Sequence, residues 1–218
     1  MGFLGFGKKE SSRSLDSIEQ LQIGDIVSFK DRPPLPVDVQ GVDFQVTDVA
    51  GYQYSDGPVD EFTLKSAENF VLILSLEQDD GETSICLSRK IKRKQVLSLF
   101  DEDEFADLWE PDFVALSVQQ VPDKLKTWVG QTYQQQQKNA SAYFYDRDLR
   151  EKPASDYEDS GSYALQYHEC LTDDELYGIS VEIFEDGETD VYLQCYLPTD
   201  VIDGLWPGEL PDENETKE

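Results

Sequence analysis

Apolar residues alternate with polar ones at period two along most of the chain, the signature of strands with one buried face. Residues 26–29 and 44–49 read as strands separated by a loop carrying Pro33, Pro34 and Pro36. Residues 52–54 and 61–64 continue the pattern as an antiparallel meander, joined by Ser55, Asp56, Gly57 and Pro58, a composition suited to a turn. Residues 70–76 and 84–87 flank Asp80-Gly81 and predict a hairpin whose first strand is apolar on both faces and therefore central. Further on, 113–118 and 163–167 read as strands. A second hairpin, 177–185 with 190–197 around Asp186-Gly187, sets Ile179, Val181 and Ile183 opposite Val191, Leu193 and Cys195.

Helical spacing is sparse. Leu15, Ile18 and Leu21 behind Ser14 predict one short helix, ending before Gly24. A second helix is expected within 92–110, with Phe105, Leu108 and Trp109 inward and the acidic run 101–104 at its dipole-positive start. Leu125, Trp128 and Val129 favour a helix from Pro122, followed by a hairpin pairing 132–134 with 142–145 across Lys138-Asn139. The expected fold is α+β and mainly β: two antiparallel β-rich halves, 14–110 and 111–210, built from meanders and hairpins with a few short helices. Residues 1–13 and the acidic tail 211–218 read as disordered. Asp-Gly-Glu-Thr occurs at 80–83 and again at 186–189, at a hairpin tip each time, which fits either an internal duplication or two uses of one turn chemistry.

Charge changes the picture more than length does. The 218 residues carry 18 Lys and Arg against 46 Asp and Glu, a formal net charge of −28. Residues 153–216 hold 18 acidic residues and no Lys or Arg, so the last third is one negative field. Such a balance disfavours direct nucleic-acid binding, which draws its affinity from neutralising phosphates. The three cysteines, Cys86, Cys170 and Cys195, form no C-x-x-C pair and no disulfide framework, which points to a reducing, cytoplasmic setting. No stretch approaches the roughly 18 apolar residues of a membrane helix.

Catalytic motifs are missing. The single histidine, His168, would have to serve any triad or His-rich metal site; it shares a strand face with Cys170 and reads as structural. No ligand spacing for zinc or calcium and no phosphate-cradling glycine loop occurs, so no metal and no cofactor is expected. What remains are interaction candidates. The only basic patch comprises Arg89, Lys90, Lys92, Arg93 and Lys94, which could grip an acidic group or pair with the chain's own negative last third. The acidic candidates are Asp173, Asp174 and Glu175 in one cluster, with Glu182, Glu185, Asp186, Glu188 and Asp190 in and around the final hairpin. A charged, aromatic group of Tyr143, Tyr145, Asp146, Arg147 and Asp148 could line a cleft.

The run 21–27, then 44–46, 52–54 and 60–64, resembles an uncharacterised family of bacterial β-rich domains of unknown function, sometimes encoded near phage-shock-type membrane-stress proteins; the closing run 181–188 with 190–192 is similar to the end of its longer members. The resemblance implies a bacterial, cytoplasmic, non-enzymatic protein and brings no catalytic residues. The expectation is an acidic interaction or adaptor protein for a basic or membrane-associated partner, in membrane-stress response. Two alternatives stand beside it: a nucleic-acid mimic that inhibits a nucleic-acid-binding protein, and a carboxylate-dependent hydrolase or small-ligand binder.

Overall fold

The computed structural model describes residues 13–79, 81–154 and 161–208. The expected disordered N-terminus, apart from Arg13, and the acidic tail lie outside these residues. Among these residues eleven antiparallel strands form one sheet: β1 (Ile26–Phe29), β2 (Asp43–Gln53), β3 (Pro58–Ser66), β4 (Val71–Asp79), β5 (Glu82–Ile91), β6 (Ala115–Ser117), β7 (Thr132–Tyr145), β8 (Ser162–Leu171), β9 (Tyr177–Phe184), β10 (Thr189–Pro198) and β11 (Ile202–Trp206). Two short helices, α1 (Arg93–Leu99) and α2 (Glu102–Ala106), lie between β5 and β6.

The sheet closes on itself. Its order is β11-β1-β2-β3-β4-β5-β10-β9-β8-β7-β6, and β2 also pairs with β7 through Gly51–Tyr145, Tyr52–Phe144 and Gln53–Tyr143. Strands β2–β5 and β7–β10 are two four-stranded meanders, joined into an eight-stranded ring by β5–β10 on one side and β2–β7 on the other. The segments 14–110 and 111–210 thus supply four strands each to one barrel. Gly51 is needed at the closure, because a Cβ there would lie 2.7 Å from Leu149 Cδ1.

The ring has an unusual polarity. Phe62 and Leu64 on β3, Leu72 and Leu74 on β4, Ile85 and Leu87 on β5, Ile179 and Val181 on β9, and Leu193 and Cys195 on β10 share the outer face, all buried in one cluster. Segments outside the ring cover it: Leu15, Ile18 and Leu21 from the N-terminal side, and Leu99, Phe100, Leu108, Leu125 and Trp128 from the β5–β7 connection. The outward apolar face is thus sealed by the chain itself. No described helix is long and apolar enough to cross a membrane.

Four local expectations need correction. The helix expected from Ser14 is a single 3-10 turn, Ile18–Gln20, because Ser17 stays extended and offers no side-chain cap; Leu15, Ile18 and Leu21 are nevertheless buried. The helix from Pro122 is likewise one 3-10 turn, Asp123–Leu125. Residues 132–145 form one long strand, not a hairpin. Asn139 takes φ +49°, and the register slips around Gln137, so the left-handed residue is absorbed as a bulge. In the 92–110 region Asp101 caps α2 by accepting bonds from the Asp103 and Glu104 N–H groups, and Leu108 is buried, but Trp109 is 42% exposed.

Candidate functional site

The same alternation that sends apolar side chains outward sends the other set into the ring. All eight barrel strands or their ends line an internal cavity of about 230 Å³. Its walls carry Glu61, Glu77, Glu169 and Glu182, with Asp56 at the β2–β3 turn, and no Lys, Arg or His. Tyr54, Tyr167, Tyr192 and Tyr196 supply aromatic faces, and Ser75, Ser88, Ser180, Gln137 and Gln194 the remaining polar groups. Gly178 makes room for this lining, since a Cβ there would meet Gln194 Oε1 at 2.8 Å and the Tyr196 ring at 3.0 Å.

Bonds across the ring hold the lining in place. The Tyr52 hydroxyl, on β2, donates to Glu182 Oε2, on β9, at 2.8 Å, and the Tyr196 hydroxyl donates to Glu169 Oε1 at 3.2 Å. Tyr52 stacks on Tyr54 at 5.5 Å and meets Phe144 at 5.1 Å, while Tyr54 packs edge-on against Tyr167 at 5.4 Å. These rings, with Ala142, Leu165 and Phe184, form a second apolar cluster inside the barrel. Glu61 differs from the other acids. It is half-buried, its carboxylate faces the cavity, and it has no hydrogen bond or ion pair with any described residue.

Enclosure and mutual repulsion set the protonation of the lining. Burial, then Glu182 and Glu77, pushes the Glu61 carboxyl up to about 8. Burial likewise raises Glu182 to about 7, with Asp190 adding to the rise, against the lowering effect of the Tyr52 hydrogen bond and of Lys90. Glu77 is raised by burial and by Glu169, and Glu169 by burial, each partly relieved by its hydroxyl partner, Ser75 and Tyr196. Among the described residues no three His, Cys, Asp or Glu side chains converge as a metal ion would require.

The sequence-level candidates fall in different places. Of the acidic candidates only Glu182 is in the lumen. Asp173, Asp174 and Glu175 form the β8–β9 turn, where Asp174 accepts bonds from the Thr172 hydroxyl and the Leu176 N–H. Glu185, Asp186, Glu188 and Asp190 gather with Asp146 around a separate groove of about 530 Å³, beside Phe144, Tyr163 and Phe184. The basic run is dispersed. Arg89 pairs with Asp38 at 2.6 Å and lies over Phe70 and Trp128; Lys90 pairs with Asp190 at 2.5 Å; Arg93 meets Glu102 at 3.4 Å. Only one of these three partners, Asp190, belongs to the negative last third. Lys92 and Lys94 are exposed.

The charged aromatic group splits as well. Tyr145 is buried under the Arg147 guanidinium, 4.6 Å from its ring, and Tyr143 is half-buried beside it on β7. Asp148 pairs with Arg150, which reaches over Phe62 and bonds the Leu21 carbonyl, so this stretch straps the N-terminal segment to the barrel. His168 is fully buried on the outer face. Its Nδ1 faces the Gln135 amide at 3.1 Å, and its ring packs against Trp109 at 5.0 Å.

Glu61, Glu77 and Glu169 are absent from the sequence-level candidates because a Glu alternating with apolar residues reads as solvent-facing. The available signal was Tyr192-x-Gln194-x-Tyr196: large aromatics on the polar face of a strand need cover. Searches against family models, curated proteins and solved structures returned no match to this chain.

Proposed function

We propose that the protein is a non-enzymatic binder that takes a small organic cation into its barrel. The observation that carries this reading is Glu61, a half-buried carboxyl with no partner among the described residues, in a lumen lined by acidic and no basic side chains. Keeping several acids together in a confined space is costly without a counter-charge, and a cation supplies it. Tyrosine faces attract ammonium groups through their ring quadrupoles, and the Ser, Gln and Tyr oxygens accept their N–H bonds. The cavity is smaller than most drug-sized sites, which suits a compact ligand.

The test is calorimetric titration of the full chain with simple alkylammonium salts, beside the variant Glu61→Gln, Glu182→Gln. The reading expects saturable binding that the double substitution weakens by about tenfold or more. Binding that is unchanged in the variant would place the cation on the acidic exterior and overturn it.

One observation favours a second reading, docking of a basic protein partner. The groove formed by Asp146, Glu185, Asp186, Glu188 and Asp190 joins acidic groups to the exposed ring of Tyr163 at one end of the barrel, beside Phe144 and Phe184. Capture by that groove would fall steeply with salt, whereas binding in the enclosed lumen would fall less.

A further inference from the structure

The lumen acids stand in two layers, and the strand register fixes their spacing. On β3 and β4, Glu61 is level with Ser75, and Glu77 lies two residues further along. On β8 and β9, Glu182 is level with Tyr167, and Glu169 lies two residues further along. The two strand pairs line one cavity, where, after burial, Glu182 and then Glu77 raise the Glu61 carboxyl and Glu169 raises that of Glu77. Three of the four acids accept from a hydroxyl, Glu182 from Tyr52, Glu77 from Ser75 and Glu169 from Tyr196. Two residues of extended strand span about 7 Å, so the layers are separated by about that distance. A single ammonium group can reach one layer only. Ser180, level with Glu169, and Gln194 line the same cavity without charge.

Resting on the reading of the lumen as a cation site, we infer that its ligand is a linear aliphatic diammonium ion, with one ammonium group against Glu61 and Glu182, the other against Glu77 and Glu169, and a short methylene chain between them. The tyrosine faces cover the methylene groups, and each carboxylate pair receives one positive charge. A monoammonium ion would leave one pair unmatched, and a metal ion would find no converging ligand set among the described residues.

The experiment titrates the full chain with tetramethylenediamine, butylamine and magnesium chloride in turn, by calorimetry and by following the Tyr192 and Tyr196 ring signals in NMR spectra. The expected result is that the diamine binds at least about tenfold more tightly than the monoamine. Glu169→Gln, and separately Tyr196→Phe, then brings the diamine toward the monoamine's affinity, with circular dichroism confirming that each variant is folded. Equal affinity for the two amines would overturn the two-charge inference while leaving the cation lumen standing. Tighter binding of magnesium than of the diamine would overturn the inference in favour of a metal. Failure of both amines to bind, or binding without movement of the tyrosine signals, would overturn the lumen reading itself.

Discussion

The two faces of one closed sheet have opposite solvents. The outer face of the barrel is apolar and covered by the chain's own N-terminal segment and β5–β7 connection; the inner face is lined with carboxyl, hydroxyl and amide groups around a cavity. Most small barrels reverse this, filling the interior with apolar side chains. The difference shows where stability and function lie here. The exterior contacts supply the burial that holds the fold, so the interior is free to hold polar groups that stability alone would not select.

Breaking the outer face should have the largest effect. Trp128 is fully buried, donates from its indole Nε1 to Asp38 at 2.8 Å and lies under the Arg89 guanidinium. Trp128→Ala should cost about 3–5 kcal/mol, measured by chemical denaturation. A loss below about 1 kcal/mol would mean that the cover is not what holds the ring.

Filling the lumen should come next. Gly178→Val places methyl groups where Gln194 and Tyr196 stand and should cost about 1–3 kcal/mol while abolishing amine binding. Retained binding with normal stability would show that the cavity does not need this space.

Glu61→Gln sharpens the comparison by reversing the usual sign of a substitution in the barrel wall. Its folded pKa is raised above the unfolded value, so the folded state holds the proton more tightly, and its contribution to stability is lost as pH rises toward about 8. The amide removes that loss. The variant should match the parent near pH 4 and unfold at a higher temperature above about pH 8, by a few degrees in thermal melts. A lower melting temperature at high pH would contradict the placement of Glu61 in the lumen without a partner among the described residues. At the small end, Lys94→Ala on the exposed surface of α1 should change stability by no more than about 0.5 kcal/mol.

Much of the fold is legible in the sequence. The final hairpin around Gly187 follows from alternation and turn chemistry, and so does the mainly β character. Barrel closure is not legible, because the β2–β7 pairing joins residues 51–53 to 143–145 and leaves no local pattern. Nor is the long β7, in which Lys138-Asn139 carries turn composition but is spent on a bulge. The site is hidden for a related reason. Glu61 beside Phe62, and Glu169 between His168 and Cys170, look solvent-facing until closure turns that side of each strand inward. Glu182 alone stood among the candidates, as part of an acidic exterior.

The most direct test is to follow the glutamate side-chain carboxyl signals through a pH titration by NMR, with and without tetramethylenediamine. Two carboxyls, assigned to Glu61 and Glu182, should titrate at about 8 and about 7 in the free protein and move down when the amine binds, because a cation stabilises their charged forms. Glutamates that all titrate in the ordinary carboxylate range, or raised ones that the amine leaves unmoved, would contradict a cation-binding lumen.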